Sequence, residues 1–459
     1  MDENNPAQAT VYVERLAARI DMNLTQALAG TGTGNENGAE VENPVKIEGS
    51  ASDAKDYVKL TGYQVINRWD SEEYMLKRVS SDVTGTADAY PSLADNKYTL
   101  KYLYDEVYNT GSYKYNYVID PFTVSQTTPK TSTNLTSLAS KYESHYDGDL
   151  NTTVSTAFTA LTGVSTTAGT FTPIMYTKEN TLDLDNQIMG LATGIIFKGE
   201  YTPNKVSEFD ASGQNAEVKA EDYTKGDNFY VVNDFTESDA SRFLCNDLTT
   251  VGALSFSKIA GDNEKTYTSA LMKALFDANT NAWAGVTLEN LTEAVNAMVG
   301  GTINIAYKEY LQGLISPEAG EAPKSIDDIT LADAKWSAFL TEKGIKDPAT
   351  ATDEGDAWTT DSKALYDTWN VSYYKGGVCY LPYFIRHEDN DVPSQMGPME
   401  YCIVRNNVYQ VAVTGVNALG YPLPFITPGN TPVEEENVFL QVQIWVKDWT
   451  LRTNAGIIL

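Results

Sequence analysis

Hydrophobic and polar positions alternate most cleanly at the end of the chain. Leu440, Val442, Ile444 and Val446 fall on one parity and Gln441, Gln443, Trp445 and Lys447 on the other, the period of a half-buried strand. Trp449, Leu451, Ile457, Ile458 and Leu459 carry the apolar character to the last residue, where chains are usually polar and frayed. Near the other end, ATVYVERLAARIDM puts Val11 and Val13 on one parity and Leu16, Ala18, Ile20 and Met22 on the other. DYVKLTGYQVINRW behaves alike, with Val58 and Leu60 before Gly62, and Tyr63 and Val65 on the opposite parity after it. A parity switch inside one apolar run predicts a strand carrying a β-bulge. NQIMGLATGIIFKGEY predicts another strand, with Ile195 and Phe197 on one face and Ile196 on the other.

The period then changes. KTYTSALMKALFDAN places Leu271, Ala274, Leu275 and Ala278 on one helical stripe, and TLENLTEAVNAMVGG does so with Leu288, Leu291, Val295 and Met298. TLADAKWSAFLTEKG predicts one more helix, with Thr330 as N-cap, Asp333 three residues on, and Gly344 past the end. Strand patterning resumes in GGVCYLPYFIRHEDND and MEYCIVRNNVYQVAVTGV, with a tight turn at Asn406-Asn407. The fold class is therefore mainly β with helical insertions. Connections are polar: GTGTGNENG from Gly30 to Gly38 reads as a flexible loop, residues 125–172 as a Thr- and Ser-rich long loop region or short edge strands, and PGNTPVEEEN at 428–437 as an exposed hinge.

Composition narrows the function. The chain of 459 residues carries 62 acidic and 33 basic side chains, a formal net charge of −29, which repels phosphate backbones and argues against a nucleic-acid partner. Its 42% hydrophobic content suffices for ordinary cores. Three cysteines (Cys245, Cys379, Cys402) make neither a disulfide framework nor a metal cluster, and the pairing of Cys379 with Cys402 is left open. MDENNPAQ lacks the basic and apolar regions of a signal peptide, which leaves a cytosolic chain or a processed form. The two histidines, His145 and His387, lie in polar segments and read as exposed loop residues, without a nucleophile-elbow motif beside them. Asp183 with Asp185 and Asp389 with Asp391 have calcium-loop spacing but lack the glycine and later glutamate of an EF-hand. The 29 tyrosines and 7 tryptophans fit strand packing, with glycan binding as the other use of such rings. No cofactor is expected, and the chain reads as a non-enzymatic, acidic, β-rich protein.

Several segments in order resemble the major fimbrial subunits, or fimbrillins, of Bacteroidales type V pili. VYVERLAARI is similar to that family's Val-Glu-Arg strand, with Arg19 where lysine is commoner, and VKLTGYQVINRW to the next strand, with Tyr63 where tryptophan is usual. YTKENTLDLDNQIMGLATGIIFKGEY matches through Glu179, Asn180, Thr181 and Phe197, and the last segments through Tyr383, Ile385, Arg386, His387, Arg405, Asn406 and Asn407. The resemblance implies two transthyretin-like β-sandwich domains, at 1–172 and 173–437, and the helical patterning above reads as an insertion in the second at about 238–345. It implies export through the outer membrane to a cell-surface fimbrium and maturation by an arginine-specific protease, with Arg15 and Arg19 as candidate cleavage sites. It also implies polymerisation by donor-strand exchange. The donor is then residues 438–459, with Leu440, Val442, Ile444, Trp445, Val446, Trp449 and Leu451 as its contact residues. Burying five such side chains contributes about 8–15 kcal/mol gross. The expected partners are copies of the chain, accessory fimbrial subunits, and host or bacterial surface ligands; the alternative is a fimbrial tip adhesin or glycan-binding surface lipoprotein.

Overall fold

A computed structural model describes residues 17–45, 47, 55–69, 142–144, 146, 158–182, 186–213, 215–235, 241–257, 266–277, 283–298, 300–316, 318, 320–322, 324–351, 357–387, 389, 396, 400–424, 429–435 and 438–448. Its strands are β1 (Ala17–Leu24), β2 (Ala39–Asn43), β3 (Tyr57–Ile66), β4 (Arg68–Trp69), β5 (Tyr142–Glu143), β6 (Thr159–Ala160), β7 (Thr172–Lys178) and β8 (Gly194–Thr202). They continue as β9 (Lys205–Asp210), β10 (Glu217–Asp222), β11 (Phe229–Phe235), β12 (Ser241–Cys245), β13 (Val371–Tyr374), β14 (Val378–Phe384), β15 (Asn407–Ala418) and β16 (Leu440–Asp448). The helices are α1 (Leu248–Ser257), α2 (Thr266–Phe276), α3 (Leu288–Ala297), α4 (Thr302–Ile315), α5 (Leu331–Ala334), α6 (Trp336–Glu342) and α7 (Ala357–Trp369).

The largest sheet runs β14-β8-β3-β2-β15-β1-β7, with β16 on β15 and β6 on β3. β15 organises it. Its first half runs parallel to β1, Val416 and Ala418 run parallel to β2, and β16 lies antiparallel along its other side. Strands from before residue 172 and from after residue 371 thus share one sheet and one core. Ile20, Val41, Leu60, Phe197, Leu381 and Val411 all contribute to that core.

The bulge foreseen in β3 is present: the pairing with β8 shifts between Leu60 and Gly62, which turns Val58 and Leu60, then Tyr63 and Val65, into the same core. β8 is buried on both faces. Ile195 and Phe197 enter the main core, while Ile196 joins a second core with Ile66, Trp69, Tyr401 and Val433. At the start of β2, Gly38 has φ +104, and a Cβ there would lie 2.1 Å from the Val58 carbonyl oxygen, so only glycine fits.

The remaining strands form a five-stranded sheet, β10-β9-β12-β11-β13. Alternation sends Val206, Phe229, Val231, Leu244 and Tyr374 into the main core. Tyr230, Val232, Phe243 and Tyr373 go to a third core under the helices, around Leu271, Leu291, Tyr307 and Trp336. The sheet is therefore a middle layer. The helices extend from 248 to 369, past the residue 345 expected from patterning. α5 and α6, read as one helix, are separated at Lys335, whose ψ of 148 is extended. Among the described residues no helix is long and apolar enough to cross a membrane.

One buried carboxyl ties the sheets together. Asp56, ahead of β3, is 2% exposed; it accepts from the Tyr201 hydroxyl and, at 2.9 Å, from the Asn204 backbone N–H. Burial raises its pKa above the ordinary value, against those hydrogen bonds. A raised carboxyl binds its proton more tightly folded than unfolded, so its contribution to stability falls as pH rises from the unfolded value near 4 through the folded one. Asp56→Asn is expected to flatten that fall, measured as the difference between wild-type and variant unfolding free energies across this range; identical slopes would contradict it.

Candidate polymerisation strand

Among the described residues β16 is an edge strand. Among the described residues its ladder partner is β15, in a register running from Asn407 opposite Asp448 to Val416 opposite Leu440. The alternation read from sequence holds. Leu440 is 4% exposed, Val442, Ile444 and Val446 are half-buried against the main core, and Gln441, Gln443, Trp445 and Lys447 face outward. Trp445 remains 43% exposed, its ring edge-on to Phe171 at 5.7 Å. Trp449 and Leu451 lie outside the described residues.

Burial is graded along the strand. Phe439 and Leu440 are covered, and the Phe439 ring meets Tyr421 edge-on at 4.8 Å. The Asn417 backbone N–H donates to the Phe439 carbonyl at 2.7 Å, and its side chain donates to the Val438 carbonyl at 3.0 Å. Across a bulge between Val413 and Gly415, a Cβ on Gly415 would come 2.5 Å from Gln441 Oε1. Two covered and three half-covered apolar side chains contribute about 6–10 kcal/mol gross, below the figure for five fully buried ones. The strand is docked within its own chain, by one ladder and a half-covered face.

The residues behind β16 are fixed by pairs that join distant segments. Arg405, just before β15, donates from Nε and Nη2 to the two carboxylate oxygens of Glu179 at 2.7 and 2.6 Å, with both side chains 10% exposed. Asn180 pairs with Ile403 through both backbone groups, at 2.8 and 2.9 Å. Asn406 takes φ +60 at the predicted turn, and its N–H donates to the Ala17 carbonyl at the start of β1.

His387 is held, not loose. Its Nδ1 lies 2.9 Å from the Tyr409 hydroxyl, which also accepts from the Val404 N–H at 2.7 Å, and burial raises the Tyr409 pKa. His145 lies outside the described residues. Cys379 and Cys402 are free and buried, as is Cys245; burial pushes the Cys379 thiol up to about 12. Among the described residues no group of three or more His, Cys, Asp or Glu side chains is placed to hold a metal.

Arg15 lies outside the described residues. Arg19 sits inside β1, opposite Val408 on one side and Tyr176 on the other, and donates from Nε and Nη2 to Asp21, each at 2.7 Å. A protease acting at Arg19 would meet a strand already paired on both edges.

Residues 372–455 match the family model described as major fimbrial subunit protein type IV, Fimbrillin, C-terminal. This part of the chain is a fimbrillin carboxyl-terminal region. It holds β14, β15 and β16 together with Arg386, His387, Arg405, Asn406 and Asn407, through which the sequence resembles that family. No curated protein matches the chain.

Proposed function

We propose that the chain is a structural shaft subunit of a cell-surface fimbria that polymerises by passing residues 438–459 to a neighbouring copy. The observation that carries this reading is β16 itself. It lies inside the fimbrillin region, at the carboxyl end of the sequence, and is apolar on one face only. It covers the core incompletely and, among the described residues, is bound along one edge, so its release breaks one ladder. In a neighbour it would regain a ladder and cover a sheet edge there.

Leu440, Val442, Ile444 and Val446 are then the donated face, with Trp445, Trp449 and Leu451 as further contacts. The partners are copies of the chain and accessory fimbrial subunits, and the site of action is a fimbrium reached by export through the outer membrane. Proteolysis at Arg15 or Arg19 belongs to the same reading. So does the division into two β-sandwich units, at 1–172 and 173–437.

The test compares the full chain with a variant lacking 438–459, after mild trypsin treatment, by negative-stain electron microscopy. Filaments from the full chain alone are expected. Equal filaments from both would remove the terminal strand from the assembly.

A further inference from the structure

The inward face of β16 does not fix where the strand sits along β15. Leu440, Val442, Ile444 and Val446 are all aliphatic, and side chains alternate with a period of two. A slip of two residues in either direction therefore returns aliphatic side chains to the same face. The ladder to β15, and the Asn417 bonds to Val438 and Phe439, engage backbone groups, which every residue carries.

Three side chains of the other parity remove this degeneracy. Phe439 meets the Tyr421 ring edge-on at 4.8 Å, and Trp445, six residues on, meets Phe171 at 5.7 Å. Between them Gln441 lies over Gly415, where a Cβ would come 2.5 Å from its Oε1, and its Nε2 donates to Glu42 at 2.8 Å. Both receiving rings stand on tied backbone. Tyr421 and Tyr380 exchange their two backbone hydrogen bonds, at 2.7 and 2.8 Å. Phe171 follows a loop whose Ser165, Thr167 and Thr170 carbonyls accept from Asn23 Nδ2 on β1, at 2.9, 2.9 and 2.8 Å.

A slip of two residues one way puts Gln441 beside Tyr421 and Lys447 beside Phe171. The opposite slip puts Phe439 over Gly415 and Gln443 beside Phe171. Each slip separates both ring pairs.

We propose that Tyr421 and Phe171 set the frame of the strand beside β15 by accepting aromatic rings six residues apart, with Gly415 taking the amide between them. The strand that fits carries Phe, Gln and Trp at the spacing of Phe439, Gln441 and Trp445. That is the 438–448 segment of this chain or of a second copy. Entry of a second copy rests on the strand-exchange reading, whereas the frame is a property of the single chain. The aliphatic face supplies adhesion, and the aromatic row supplies selection.

Cysteine pairs in the full chain test the frame. Gln410 lies opposite Trp445, so Gln443 and Lys447 are its diagonal neighbours, about 7–8 Å away and beyond the usual disulfide range. Gln410→Cys with Lys447→Cys closes after one slip, and Gln410→Cys with Gln443→Cys after the other. Ala412→Cys with Gln443→Cys closes in the native frame. Mild oxidation followed by mass spectrometry should show the native pair closing fast and both diagonal pairs at least about tenfold more slowly.

Each ring pair favours its own frame by about two- to tenfold, so Phe439→Leu with Trp445→Leu should speed the diagonal closures by about four- to hundredfold. Trp445→Leu alone, at a side chain 43% exposed, should speed them by about two- to tenfold. Phe171→Leu should match it, and the two together should add nothing further. No filament is needed for these measurements. A wild-type chain that never assembles would sink strand exchange and leave the frame to its cross-linking result. Diagonal pairs that close as fast as the native one, or closures that the leucine variants leave unchanged, overturn the frame assignment.

Discussion

Replacing Glu179 with glutamine is expected to lower the stability of the fold by about 3–5 kcal/mol, because it leaves a buried guanidinium without its carboxylate. The pair is bidentate, with both side chains 10% exposed, so neither partner can turn to bulk water. It also joins two turns far apart in sequence: Glu179 follows β7, and Arg405 precedes β15, the strand that seats β1, β2 and β16. Urea unfolding followed by circular dichroism measures the loss. Replacing both residues by methionine removes charge and partner together, and is expected to cost much less than Glu179→Gln alone. A change within about 0.5 kcal/mol for Glu179→Gln, the range of surface substitutions, would contradict the role of the pair.

The second large effect is expected when the chain is cut before Val438. Removing β16 exposes the outer edge of β15 and uncovers apolar surface that contributes about 6–10 kcal/mol gross, a loss comparable with the whole stability of many domains. The truncated chain should therefore be marginal, melting well below the full chain. A synthetic peptide of residues 438–459 should restore it in a concentration-dependent way, by about 2.7 kcal/mol at a hundredfold excess over its dissociation constant. Thermal unfolding at increasing peptide concentration reads this directly. A truncated chain that melts like the full one, or a melting point the peptide does not raise, would show that the strand contributes little to the groove it occupies.

Local elements were legible where periodicity is strong. The parity switch in β3 announced a bulge, the run in β8 set Ile195 and Phe197 on one face and Ile196 on the other, and β16 showed its inner and outer rows. β9 and β10 carried weaker signals: β10 is a charged edge strand, and short strands with polar faces resemble loops. The break at Lys335 was hidden, because the stripe continues through it from Leu331 to Trp336 and Phe339.

Long-range pairing could not be read at all. That β1 runs parallel to β15 depends on residues almost four hundred positions apart, which no local period encodes. The same limit explains the site. Glu179 and Arg405 each stood in a segment resembling fimbrillins, and folding alone placed one against the other. The exposed segment read at 428–437 is more tied than composition suggests for a related reason: composition describes what residues 429–433 prefer by themselves, while their hydrogen bonds to Gln187, Met189 and Gly190 depend on the fold. His387, read as an exposed loop residue, is held by Tyr409 in the same way.

Locking β16 to its own subunit tests strand exchange most directly. Ala412 and Gln443 are directly opposed in the antiparallel ladder. The Cα separation of such pairs falls within disulfide range. The native cysteines are buried and free, so they leave the introduced pair undisturbed. Under oxidising conditions the Ala412→Cys, Gln443→Cys variant should remain monomeric by electron microscopy, and reductant should release the strand and give filaments. Filaments that form as readily from the oxidised protein would mean that β16 need not leave β15, and that assembly proceeds through another surface.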